Sequence, residues 1–210
     1  MQQALIFDLD GTLWDSRPQI RDAWEAIGRR YFGDNYVLTL EQTSSLMGKT
    51  MIEIGEILTP KNADPEVAKR FVDDCFLHEC EYLSKHPGQL FPDEVETLLE
   101  LRKEYDLYIV SNCQFGYIET FLPLVPDGTF IGYRCWSDTK KDKDFTIRSL
   151  MDDFHISEAI YIGDTQKDER CSHLAGLPFV FASYGFGQSK HPEAIVKSFK
   201  ELPFIVKKLF

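Results

Sequence analysis

The chain is 210 residues long, 43% hydrophobic and 27% charged, a globular balance that excludes a disordered polymer and suits one large domain with an insertion. Its 34 acidic against 23 basic residues give a formal charge of −11, a field that repels phosphodiester backbones and anionic lipid and so argues against nucleic-acid or membrane-surface binding. No apolar run nears the roughly 18 residues of a membrane span, no basic segment precedes the first apolar run, and five cysteines without a Cys-x-x-Cys pair indicate reduced thiols and a cytoplasmic protein.

The first apolar run, Ala4 to Phe7, stops at Asp8. Similar runs follow at Leu107 to Val110, Ala159 to Ile162 and Phe179 to Ala182. Short continuous apolar runs separated by helical patterns read as strands buried on both faces of a parallel sheet, hence an α/β doubly wound domain. Ligands in such sheets bind beyond the carboxyl ends of the strands. Asp8, Ser111-Asn112 and Gly163-Asp164 all stand there.

From Ser16 to Leu83 the spacing is helical. Ile20, Trp24, Ile27 and Tyr31 fall on one stripe and Val67, Phe71 and Cys75 on another. Thr39 with Gln42 forms a capping box, and Asp64-Pro65 an N-cap followed by proline at the first helical position. These signals place an all-helical insertion over residues 16–84, between core segments 1–15 and 85–210. In the second core segment, helices are expected over Asp93–Tyr105, Lys143–Phe154, Lys167–Ala175 and Pro192–Phe199, with Gly176 as a helix stop.

Asp8-Leu9-Asp10-Gly11-Thr12 puts two carboxylates beside a turn at a strand end. Asp8 is placed to attack an electrophile, and Asp10 to give and take a proton. An Asp-Gly turn with no chemistry is the competing reading. Asp164 and Asp168 follow another strand. If Asp8 and Asp164 converge, their repulsion calls for a divalent ion, and all-oxygen ligation selects Mg²⁺. Otherwise Asp164 is a helix cap and Asp168 a solvated charge. Ser111 and Asn112 offer donors for a phosphoryl oxygen. Lys141 could supply an ammonium to Asp8 and a bound phosphate, with Lys140 as its rival.

In order and spacing these segments resemble the four motifs of the haloacid dehalogenase-like phosphohydrolases. Asp8-x-Asp10-Gly11-Thr12-Leu13 is similar to the first, Ser111-Asn112 to the second, Lys141 to the third, and Gly163-Asp164-x-x-x-Asp168 to the fourth. The resemblance implies a Rossmann-like three-layer core, with Asp8 as nucleophile and Asp10 as general acid/base. It implies that Ser111, Asn112, Lys141 and Thr12 hold phosphate, and that Asp8, the Asp10 carbonyl and Asp164 bind Mg²⁺ with support from Asp168. One departure is that Asp142 follows Lys141, where a proline is usual.

The helical insertion and the segment Ala182-Ser183-Tyr184-Gly185-Phe186-Gly187 are similar to the subgroup of phosphoglycolate phosphatases and β-phosphoglucomutases. There a cap closes over substrate, and Lys49 in Met47-Gly48-Lys49-Thr50 is placed to neutralise an anionic leaving group, an exposed helix lysine being the competing reading. The implied activity is Mg²⁺-dependent hydrolysis of a small phosphorylated metabolite by a monomer or small homo-oligomer. A β-phosphoglucomutase-like phosphotransferase, or a catalytically idle phosphate-sensing or partner-binding module, is the alternative. Cys113, beside the second motif, could be an activated thiol or a small buried one. Cys75, His78 and Cys80 lack the spacing of a zinc site.

Overall fold

A computed structural model describes residues 3–210; Met1 and Gln2, which begin the segment read as lacking a leader, lie outside them. The chain runs β1 (Ala4–Phe7), β2 (Trp14–Asp15), α1 (Arg17–Phe32), α2 (Leu40–Leu46), α3 (Met51–Leu58), α4 (Pro65–Lys85), β3 (Gln89–Leu90), α5 (Glu94–Leu101) and β4 (Asp106–Ser111). It continues through α6 (Tyr117–Phe121), β5 (Gly132–Cys135), α7 (Trp136–Thr139), α8 (Lys143–Asp153), β6 (Ala159–Gly163), α9 (Gln166–Leu174), β7 (Phe179–Ala182), β8 (Ala194–Val196) and α10 (Leu202–Leu209).

Six strands form one sheet in the order β5-β4-β1-β6-β7-β8, every neighbouring pair parallel. The register pairs Phe7 with Ile109 on one side and with Ile162 on the other. Alternate residues feed two cores. Leu5, Phe7, Leu107, Ile109, Ile160 and Ile162 belong to one. Ala4, Ile6, Tyr108, Val110 and Tyr161 join Ile147 and Leu150 of α8 and Cys171 of α9 in the other. Burial on both faces is why these strands are apolar throughout rather than alternating.

All regular structure between β2 and β3 is helical, and those two short strands pair antiparallel, Trp14 opposite Leu90. In α1, Ile20, Trp24 and Ile27 are buried, as their spacing requires. Both expected caps form: Thr39 and Gln42 exchange hydrogen bonds, and the Asp64 carboxylate accepts from the N–H groups of Glu66 and Val67. Gly176, just past α9, takes the left-handed conformation of a helix stop, with φ +81°. Among the described residues no helix is long and apolar enough to cross a membrane.

One expected helix is corrected. Residues 192–199 do not form one, because Ala194–Val196 adds to the open edge of β7 as β8. Backbone bonds from Glu193 N–H to the Phe179 carbonyl and from Ser183 N–H to the Val196 carbonyl fix that pairing. Tertiary pairing prevails over local helical spacing. A 3-10 turn at Phe199–Glu201 follows and leads into α10.

Candidate active site

Asp8 extends β1 by one ladder bond, its N–H donating to the Ile162 carbonyl at 2.8 Å. The chain then turns sharply: the N–H groups of Thr12, Leu13 and Trp14 all point to the Leu9 carbonyl, and Gly11 has φ +80°. A Cβ at Gly11 would lie 2.2 Å from Asp164 Oδ2, so only glycine lets this turn approach the end of β6 so closely.

Two strand ends and the first turn of α9 therefore bring their carboxylates together. One carboxylate oxygen each from Asp8, Asp164 and Asp168 lies within 4.8 Å of the others, and all three residues are buried. Asp164 Oδ2 accepts from the N–H groups of Phe186 and Gly187 at 2.7 and 3.2 Å. Its Oδ1 is buried and meets no donor among the described residues. Asp168 closes the N-terminus of α9 in a capping box with Thr165, while its Oδ1 accepts from Lys143 Nζ at 2.6 Å.

Lys143 is the cation of this cluster. Its side chain is 1% exposed, and Nζ also donates to Asp8 Oδ1 at 2.8 Å. The assignment of Lys141 is thereby corrected: Lys141 and Lys140 are exposed and line an outer groove. Lys140 takes the left-handed conformation that ends α7. Lys143, first residue of α8, faces inward on a stripe with Thr146, Ile147 and Leu150. That i, i+3, i+4, i+7 spacing was legible in the sequence and would have separated Lys143 from its neighbours.

The charges are out of balance. Burial, aided by Asp168 and opposed by Lys143, pushes the Asp8 carboxyl up to about 7. Asp164 is raised well above the carboxylate range by burial and by the charges of Asp168 and Asp8. Burial would lower Lys143, but Asp168 and Asp8 hold its ammonium well above the usual lysine value. One ammonium among three buried carboxylates leaves negative charge uncompensated. An oxygen-only donor set with the orphaned Asp164 Oδ1 fits a hard divalent cation such as Mg²⁺.

The Asp10 side chain stands apart from that cluster. Its Oδ1 accepts from Trp14 Nε1 at 2.9 Å, Ser16 Oγ at 2.7 Å and Tyr117 Oη at 2.8 Å. Desolvation raises the Asp10 carboxyl despite the bonds from Ser16, Tyr117 and Trp14, which suits a proton donor. Trp14, Ser16 and Tyr117 were not foreseen as its partners; nothing in sequence links Tyr117, on α6, to residue 10.

Asp8, Asp10, Ser111 and Asn112 line a cavity of about 30 Å³ together with Trp24, Lys49 and Glu79 from the helical insertion. That is room for about two waters. Asn112 Nδ2 donates to the Gly48 carbonyl at 2.8 Å, joining the end of β4 to the loop that carries Lys49. Arg17 stacks on the Phe186 ring at 3.7 Å and donates to Ser44 of α2. Thr12 is fully buried, its hydroxyl without a partner among the described residues, and is not among the lining residues. The half-buried Cys113 thiol is pushed well above its ordinary value, by burial first and then by Cys135, so it is not an activated thiol.

Known proteins resemble the chain in sequence and in fold. A phosphoglycolate phosphatase of Photobacterium profundum is 28% identical over 97% of this chain and 95% of its own length. One from Rhodobacter capsulatus is also 28% identical, over 89% and 86%. The fold matches a predicted phosphoglycolate phosphatase from Haemophilus somnus 129pt with a TM-score of 0.84, at 19% identity and 97% coverage of both chains. It matches CbbY from Rhodobacter sphaeroides, solved in complex with xylulose-(1,5)bisphosphate, with a TM-score of 0.79 at 16% identity and 96% coverage of both. The family model of the haloacid dehalogenase-like hydrolases matches residues 5–182. With the acidic strand-end cluster lying inside that span, the chain belongs to the haloacid dehalogenase-like hydrolases.

Proposed function

We propose that this phosphatase hydrolyses the phosphomonoester of a small metabolite through a covalent aspartyl phosphate, with Mg²⁺ as cofactor. The observation that carries the reading is the convergence of Asp8 with Lys143, Asp164 and Asp168, with Asp8 and the protonatable Asp10 both lining a small cavity. Names of relatives at 28% identity support the reaction class.

Asp8 attacks phosphorus in line, forming an Asp8 O–P bond as the ester P–O bond breaks. Asp10 gives its proton to the departing oxygen. Water then attacks phosphorus, Asp10 takes a proton from it, and phosphate leaves as Asp8 is restored. Trp14, Ser16 and Tyr117, all bonded to Asp10 Oδ1, fix that carboxyl so that Oδ2 carries the proton. Lys143 donates to Asp8 Oδ1 and opposes the burial that raises its carboxyl, which favours the ionised nucleophile. Ser111, Asn112 and Lys49 supply donors to the phosphoryl oxygens. Asp8, the Asp10 carbonyl and Asp164 would hold Mg²⁺, with Asp168 supporting them. When bound, the ion supplies charge neutralisation at the phosphoryl group and lets Asp8 stay anionic. The helices between β2 and β3 act as a cap over the cavity.

The test is phosphate release from an aryl phosphate with Mg²⁺, together with acid-quench trapping of phosphorylated protein. Wild type should turn over and yield a labelled adduct, and Asp8→Asn should do neither. An Asp8→Asn protein with the parental rate would refute the nucleophile.

A further inference from the structure

Lys49 sits on the loop between α2 and α3, and the polar contacts that tie residues 46–53 to the core are unequal. Lys167 Nζ reaches Glu53 at 3.3 Å with both side chains partly exposed, and such a surface pair contributes little. Ser137 Oγ lies 3.9 Å from Met51 Sδ, and a thioether is a weak acceptor. Asn112 Nδ2, by contrast, donates to the Gly48 carbonyl at 2.8 Å, and Asn112 is only 4% exposed. A backbone carbonyl can only accept, so the amide is held with Nδ2 towards the loop. Gly48 has φ +74°, a conformation that favours glycine, and the Lys49 N–H closes the turn on the Leu46 carbonyl at 3.1 Å. Losing the bond to Gly48 would strand a buried donor.

The cavity that Asn112 and Lys49 line has room for about two waters, and a phosphoryl group with its ester oxygen has more heavy atoms than that. A substrate therefore enters only when the lining residues part, and the loop must dock again around it. We propose that Asn112 is the positioning residue of that docking: its amide fastens the Gly48 carbonyl at the phosphoryl site and so sets Lys49 against the substrate. This goes beyond the donor role given to Asn112 above and rests on the phosphomonoester reading. An amide nitrogen carries two hydrogens. One holds Gly48, and the other is left for a phosphoryl oxygen, so phosphate and loop are joined through one atom. Filling the phosphoryl site and docking the loop then favour each other by the same factor. Ser111 lines the same cavity, but among the described residues no hydrogen bond joins its side chain to the insertion, so it serves the phosphate without serving the loop.

A double-mutant cycle on kcat/KM for an aryl phosphate with Mg²⁺ is the first test. Asn112→Ala and Lys49→Ala should each lose about tenfold. Because Asn112 acts through Lys49, the double variant should be about fivefold or more faster than the product of the two losses predicts. Losses that multiply would overturn the inference. The second test reads the loop, as amide hydrogen exchange over residues 46–51 with and without inorganic phosphate and Mg²⁺. Phosphate should slow exchange there about tenfold in wild type and in Lys49→Ala, and should leave Asn112→Ala unchanged. A merely structural Asn112 would alter stability but neither the coupling to Lys49 nor the response to phosphate. Equal slowing in Asn112→Ala and wild type would overturn the inference. So would an indifferent loop in a wild-type protein that turns over the aryl phosphate, which decides the matter even if Asn112→Ala fails to fold. A wild type that releases no phosphate at all would overturn the hydrolase reading instead.

Discussion

Lys143 and Asp168 form a buried ion pair, 2.6 Å from Nζ to Oδ1, with both side chains 1% exposed. Lys143 also serves Asp8, so one ammonium spans two carboxylates, one at the end of β1 and one in the first turn of α9. Removing it leaves those charges without a partner. Lys143→Met should lose about 3–5 kcal/mol of stability in the absence of metal and about 10²-fold or more in turnover. The exposed Lys141 should tolerate alanine within about 0.5 kcal/mol and with unchanged turnover. Urea melts and phosphate-release assays on the two variants check this. Equal losses would put the catalytic cation back at Lys141.

Magnesium should stabilise the fold. At about 100 times its Kd, a ligand of the folded state adds about 2.7 kcal/mol, which for a chain of this size is roughly 5–10 °C in Tm. Asp164→Asn, which alters the buried carboxylate with the orphaned Oδ1, should lose most of that shift. Thermal melts with Mg²⁺ and with EDTA read both proteins. A wild-type Tm indifferent to Mg²⁺ would count against the cation site.

Gly185 offers a steric test of the same region. A Cβ there would stand 2.3 Å from the Gly11 carbonyl oxygen and 2.4 Å from Asp164 Cβ. The first obstacle is backbone and the second is a fully buried aspartate, so neither yields cheaply. Gly185→Ala should cost about 1–3 kcal/mol and depress turnover by displacing Asp164 from Asp8. Full activity in a stable Gly185→Ala protein would mean that Asp164 can move without consequence.

Glu94 should make stability depend on pH. It is 1% exposed, with Oε2 accepting from Phe91 N–H and Oε1 without a partner among the described residues. Burial, opposed by the Phe91 bond, pushes its carboxyl from 4.5 up to about 9. Between those values the folded protein keeps a proton that the unfolded chain releases, so this contribution is whole below about pH 4.5 and is lost as pH rises towards 9. Asp8 and Glu79, raised to about 7 and 8, act in the same direction. Glu94→Gln should therefore flatten the decline evenly from about pH 5 to about 8, with the difference in slope fading towards pH 9. Urea midpoints from pH 5 to 9 test it, and parallel curves for the two proteins would refute it.

The sheet and its acidic edge were legible because they depend on local patterns. β1, β4, β6 and β7 are buried on both faces, so their apolar runs are continuous and end in the polar residues that matter. The edge strands were not. β5 has three half-buried residues out of four, with Gly132 and Arg134 among them, and β8 takes its conformation from β7. Lys143 escaped because motif spacing drew attention to Lys141, while helical phase places a different lysine inward. The partners of Asp10 illustrate the remaining limit. Tyr117 lies 107 residues away and meets Asp10 only because α6 packs beside the first turn.

The pairing of Trp14 with Leu90 bears on how the molecule tolerates change. The chain departs for its helical excursion and returns at a single point, so the central sheet sees a short bridge whatever the length of the detour. Since the entropy of closing a loop grows only as the logarithm of its length, turns inserted or deleted between α1 and α4 would leave strand register untouched. Evolution can remodel the recognition surface there without renegotiating the catalytic edge.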